Sequence, residues 1–83
     1  MSPDPFDVPI RSGSIRLGQF LKLANLVESG ADAKPLVQEG RVRVNGAVET
    51  RRGRQLRLDD VVELAGRSAR VVDAEGFIND LPW

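Results

Sequence analysis

The sequence predicts an α+β domain, two packed helices followed by a small, mostly antiparallel sheet of short strands. Three observations carry this expectation. Apolar residues recur every three to four positions between Leu17 and Gly40, the spacing of buried helix faces. At Gly40 the period changes to two, and Arg41-Val42-Arg43-Val44 alternates outward charge with inward valine, as a half-buried strand does. Asn45-Gly46 follows at once, the strongest short-range signal for a hairpin. With 83 residues there is room for one core only, so these elements have to pack on one another.

Residues 1–7 hold Pro3, Pro5, Asp4 and Asp7 and read as a flexible arm. Val8-Pro9-Ile10 reads as a short edge strand, because proline brings no ladder donor, and Ser12-Gly13-Ser14 as a turn. The first helix buries Leu17, Phe20, Leu21, Ala24 and Val27 in one stripe, with Gly18, Lys22 and Asn25 on the opposite side. Leu23 and Leu26 widen its apolar face. Ser29 and Asp32 form a near capping box that opens the second helix, whose buried face is Ala33, Leu36, Val37 and Gly40. Lys34, Gln38 and Arg41 occupy another face. Pro35 removes a backbone bond unless it stands in a first turn, so the regular helix starts near Asp32 or opens with a distorted turn. Gly40 suits a left-handed stop.

Beyond Asn45-Gly46 two registers are open. A two-residue turn puts Val48 on the face of Arg43, whereas a longer or bulged loop returns it to the face of Val44. The second is expected, because it keeps the valines together. Thr50 to Arg54 is a polar, arginine-rich loop around Gly53. Leu56 and Leu58 return to the core, Asp59-Asp60 turn, and Val61 to Leu64 is a strand. Gly66-Arg67-Ser68 turns into a last strand, Ala69 to Val72. The division expected is an arm over 1–7, one domain over 8–72 and an acidic, apolar tail over 73–83.

Composition excludes most chemistry. The chain has no cysteine, hence no disulfide, zinc-thiolate site or thiol nucleophile, and no histidine, the commonest general base and metal ligand. Asp59 with Asp60, and Asp73 with Glu75, fall in turns and a tail rather than in a cleft that would separate two carboxyl pKa values. Ser12, Ser14 and Ser29 are turn and cap residues without a base. No phosphate loop or calcium loop is present. No apolar run reaches the roughly 20 residues of a membrane span, and the N-terminus lacks the pattern of a secretion signal. The expectation is a cytoplasmic binding protein, not an enzyme, with no catalytic residue, cofactor, metal or membrane.

The net charge of zero hides a sharp block. Residues 1–33 carry three basic and four acidic groups, net −1; residues 58–83 carry two and six, net −4. Between them Lys34, Arg41, Arg43, Arg51, Arg52, Arg54 and Arg57 face only Glu39 and Glu49, net +5. Six of these seven cations are arginine, whose planar fork suits phosphate. A solvated polar face is the plain alternative. It is weakest for Arg51, Arg52 and Arg54, since three arginines around a glycine have no evident packing role. Two helices and a hairpin bring Lys22, Lys34, Arg41, Arg51, Arg52 and Arg54 onto one surface, as phosphate contacts require. The few aromatic residues do not interleave with this block, which favours the shape of folded RNA over stacking on single strands.

Arg16-Leu17, Leu21, Ser29, Ala33, Leu36-Val37, Gly40, Val42, Val44-Asn45-Gly46 and Asp60-Val61 occur in an order that resembles the RNA-binding domain of ribosomal small-subunit protein four, the alpha-L RNA-binding motif. The likeness covers about residues 15–64. Leu17-Gly18-Gln19-Phe20-Leu21-Lys22-Leu23-Ala24 and Glu49-Thr50-Arg51-Arg52-Gly53-Arg54 look like its small stand-alone bacterial branch. Against the wider superfamily, Gly18 stands where aspartate often follows Arg-Leu, Gly30 where arginine is common, and Asp59 where glycine is usual. The resemblance implies binding of structured RNA, ribosomal or transfer RNA, with the ribosome as a possible partner. The contacts expected are Lys22, Lys34, Arg41, Arg43, Arg51, Arg52 and Arg54, and, on the resemblance alone, Arg16, Ser29 and Asn45. A monomer is expected. The rival reading is a protein-interaction or dimerisation module that uses acidic residues with Phe77, Ile78 and Trp83 near the C-terminus.

Overall fold

The computed structural model describes residues 5–74. Its elements are β1 (Phe6–Ile10), β2 (Ser14–Arg16), α1 (Leu17–Leu23), α2 (Gly30–Gln38), β3 (Val42–Val44), β4 (Ala47–Val48), β5 (Gln55–Arg57), β6 (Val61–Leu64) and β7 (Arg67–Asp73). A five-stranded sheet has the order β1-β7-β6-β3-β4, and β2 pairs with β5 in a second, two-stranded sheet. The class is the expected mixture of two helices and a small sheet. The order differs, because two strands precede the helices rather than all following them. β1 is an edge strand, as Pro9 requires, but it runs parallel to β7, while the other pairings are antiparallel. Phe6 and Asp7, read from the sequence as part of the arm, are the first residues of β1.

One apolar cluster joins Leu17, Phe20 and Leu21 of α1, with Ala24 and Val27 beyond its end at Leu23, short of the expected helix, to Ala33 and Val37 of α2 and to the inward residues of the sheet, Val42, Val44, Val62 and Val71 among them. Both helices end in the same way. Asn25 (φ 59°) and Gly40 (φ 76°) take left-handed conformations after α1 and α2. In each case the next two N–H groups turn back onto the last turn: Asn25 to the Lys22 carbonyl and Leu26 to Leu21, Gly40 to Val37 and Arg41 to Leu36. Ser29 caps α2, its Oγ accepting the Asp32 N–H at 3.3 Å. The helix therefore begins at Gly30 and not near Asp32. Pro35 lies in its interior, where it removes one backbone donor.

The hairpin register corrects the expectation. Asn45 (φ 53°) and Gly46 (φ 84°) form a two-residue turn, and Arg43 pairs with Val48 and Val44 with Ala47. Val48 is consequently 54% exposed beside Arg43, its Cγ1 lying over Gly40. The inward position goes to the next residue, Glu49, whose N–H donates to the Val42 carbonyl at 3.0 Å. The turn residues outweigh the gain of burying one more valine, since both adopt positive φ and match the strand twist. Leu56 is buried in β5 as expected, whereas Leu58 is 39% exposed, because Asp59 (φ 74°) turns the chain immediately after it. Leu23 is exposed on α1 as well. Asp73, read as a tail residue, closes β7. The apolar segment with Phe77, Ile78, Leu81 and Trp83 lies outside the described residues.

Candidate nucleic-acid interface

The arginine-rich loop between β4 and β5 is tied to α1 through its backbone. Arg16, the residue before α1, supplies no side-chain cap. Instead the Arg54 carbonyl accepts the Leu17 N–H at 2.8 Å and the Arg52 carbonyl accepts the Gly18 N–H at 3.0 Å. Two donors that a helix start leaves unpaired are thereby satisfied by the loop. The loop cannot drift from the helix without exposing them.

Glu49 fixes the loop from its other side. Its carboxylate is 7% exposed and accepts the Arg51 N–H (3.0 Å), Arg51 Nε (3.2 Å) and Nη2 (3.4 Å), and Arg54 Nη1 (2.9 Å). The Arg51 side chain, against the upward push of burial and with help from Arg54 and the Arg51 N–H, holds this carboxyl near 2 instead of 4.5. Arg51 is in turn held above its ordinary value by Glu49. Two of the three loop arginines thus have the structural role that the sequence did not suggest.

Arg52 is left to face outward. It lines a cleft of about 390 Å³ together with Arg16, Gly18, Gln19, Lys22, Gly30 and Gly53. Three cations from three places in the chain converge here: Arg16 from the end of β2, Lys22 from α1 and Arg52 from the loop. Gly30 adds the first turn of α2, where backbone N–H groups and the helix dipole favour an anion. The Ser29 hydroxyl, beside it, serves as the α2 cap.

The remaining expected contacts are elsewhere. Arg41 and Arg43 line a second groove of about 420 Å³ with Leu26, Leu36, Gly40, Leu64 and Ala65. Arg41 also meets Glu39 at 3.4 Å in an exposed pair. Lys34 is exposed on α2 and lines neither depression. The Asn45 amide is engaged on both sides, donating from Nδ2 to Asp60 Oδ1 (3.0 Å) and accepting the Val61 N–H at Oδ1 (2.9 Å). It braces the hairpin against β6. Nothing in the sequence signals the burial of Glu49, or that Gln19 and Gly18 line the cleft. Among the described residues no cluster of three or more metal-ligating side chains occurs, and no helix is long and apolar enough to cross a membrane.

This fold and site define a class of small α/β domain, and comparisons with known proteins agree on which. A family model for the S4 domain matches residues 8–72, and the chain belongs to that family. It is 48% identical over 59 residues to the probable ribosome maturation protein RlbA of Bacillus subtilis, covering 71% of this chain and 83% of that protein. It is 45% identical over 58 residues to the putative RNA-binding protein YbcJ of Escherichia coli, covering 70% and 83% respectively. The solution structure of E. coli YbcJ, described as having an alpha-L motif involved in RNA binding, matches with a TM-score of 0.58 at 40% identity, over 82% of this chain and 85% of that one.

Proposed function

We propose that this protein is an RNA-binding module that grips structured RNA, in the first place ribosomal RNA, through the face formed by α1, the start of α2 and the 50–54 loop. The observation that carries the reading is the convergence of Arg16, Lys22 and Arg52 on one cleft at a helix N-terminus. Such a cleft suits backbone phosphate. The names of the two relatives support RNA, and the RlbA name favours ribosomal over transfer RNA. Arg51 and Arg54, in the same loop as Arg52, and Lys34, Arg41 and Arg43, which lie away from the cleft, add to the positive field, while Ser29 caps the helix that opens on the cleft and Asn45 braces the hairpin. Residues 8–72 form the binding unit, acting as a cytoplasmic monomer without catalysis, with the ribosome or its precursors as partner.

The test is fluorescence anisotropy with a structured ribosomal RNA fragment and a transfer RNA across a salt series. About four to six phosphate contacts give a log–log slope of roughly 0.7 to 0.9 per contact. Replacing Arg51 and Arg52 together by alanine flattens that slope by about one or two for every RNA. No binding at low salt, or binding indifferent to the double substitution, refutes the assignment. Crosslinking the protein to cellular RNA then identifies the target.

A further inference from the structure

Arg52 differs from its neighbours in what holds it. Arg51 and Arg54 are engaged by Glu49, while Arg52 has no ion-pair partner among the described residues. Its backbone is nonetheless fixed, because its carbonyl accepts the Gly18 N–H at 3.0 Å. From that anchor the side chain leaves across the first turn of α1. It passes over residue 18, which has no Cβ.

Gly18 is not needed for backbone conformation, since it is not among the glycines with positive φ. Glycine is also an unfavourable residue inside a helix. What it provides is space. A Cβ at position 18 would stand 2.7 Å from Arg52 Cγ and 3.2 Å from Cδ, but an ordinary 3.7 Å from the Arg52 carbonyl oxygen. The conflict is with the side chain and not with the loop backbone. Cγ is at the near end of the arginine, so relieving the conflict requires rotation at χ1 and swings the whole guanidinium away from its present course.

We propose that Gly18 is a positioning residue for RNA binding: its bare Cα is the seat over which Arg52 crosses α1 to stand in the cleft with Arg16 and Lys22. This rests on the RNA-binding reading above and assigns the source of one of its phosphate contacts. The affinity contributed by Arg52 therefore depends on residue 18.

A double-mutant cycle tests it. Wild type, Gly18→Ala, Arg52→Ala and the double variant are titrated with the same structured ribosomal RNA fragment over a salt series, with thermal unfolding measured in parallel. Each single substitution is expected to lower the salt slope by about one contact, 0.7 to 0.9, and the double by no more than either. The thermal midpoint of the Gly18→Ala variant is expected to change little, because the helix preference for alanine offsets the rearrangement of Arg52, and the midpoint shows that the variant is folded in the titrations. A Gly18→Ala variant with the wild-type slope, or one whose loss persists in full when residue 52 is already alanine, overturns the seat. Nuclear Overhauser contacts between the Gly18 Hα and the Arg52 Hγ and Hδ protons of the free wild-type protein are expected. Their absence overturns the seat even if the variant fails to fold. Failure of the RNA reading itself shows separately, as no binding by the wild-type chain.

Discussion

Replacing Glu49 by glutamine removes one charge from beneath the arginine loop and leaves shape almost unchanged. The carboxyl is held near 2 instead of 4.5, chiefly by Arg51, a difference worth about 3 kcal/mol as a ceiling. The Arg51 side chain is 77% exposed, so water screens much of the larger partnership, and a net effect of about 1–2 kcal/mol is expected. For a carboxyl with a depressed native pKa, this contribution is complete above the unfolded value and disappears as pH falls through the folded one. At pH 7 the Glu49→Gln variant should therefore melt roughly 5–15 °C below wild type. Between pH 5 and 2 the gap should close, because wild-type Glu49 becomes neutral too. Thermal unfolding followed by circular dichroism at a series of pH values measures both. The difference between the two proteins at each pH isolates Glu49. A gap that is absent at pH 7, or unchanged down to pH 2.5, refutes the reasoning.

Asn45→Ala loses two side-chain hydrogen bonds and places alanine at a left-handed φ, so urea denaturation should show a loss of about 2 kcal/mol, with Asn45→Gly costing less. Ala65 already occupies such a conformation (φ 54°) in the turn before Gly66, and Ala65→Gly should stabilise by about 1 kcal/mol, read as a rise in thermal midpoint. Val48→Thr should be neutral within about 0.5 kcal/mol, whereas Val42→Ala should cost roughly 2 kcal/mol by the same denaturation assay. Equal costs at the two valines would mean that the hairpin register is wrong.

Local signals accounted for most of the fold. The burial of Leu17 to Val27, the Ser29 cap and the Gly40 stop are each contained within a few residues and lie where the spacing puts them, although α1 itself ends at Leu23 and Ala24 and Val27 are buried beyond it. What was not legible depends on distant partners. Nothing near Val8-Pro9-Ile10 specifies that it joins β7, some sixty residues on, in parallel. Ser14–Arg16 is too short to declare itself a strand without β5 beside it. At the hairpin two local rules conflicted, valine burial against the preference of Asn-Gly for a two-residue turn, and the turn geometry prevailed. The burial of Glu49 followed from that same register. A glutamate among arginines looks solvated until the strand is known to point it inward.

Charge counting along the chain and the folded arrangement of the cations differ in the same way. The basic block spans residues 34–57, yet of the three cations around the cleft only Arg52 belongs to it. Arg16 and Lys22 come from the N-terminal stretch whose net charge is negative, and folding alone brings them to Arg52. Arg51 and Arg54, which enlarge the block on paper, are partly neutralised by the buried Glu49 and serve to hold the loop. Their field still reaches a polyanion, because Arg51 is largely exposed, but their removal has two consequences at once. Arg51→Ala strips a buried carboxylate of its main partner and so weakens the fold along with the surface charge. Arg52→Ala has no such partner to abandon among the described residues, so its cost to the fold is expected to be the smaller. The charge that the proposed reading assigns to RNA and the charge that shapes the loop are adjacent residues, separated by which of them Glu49 reaches.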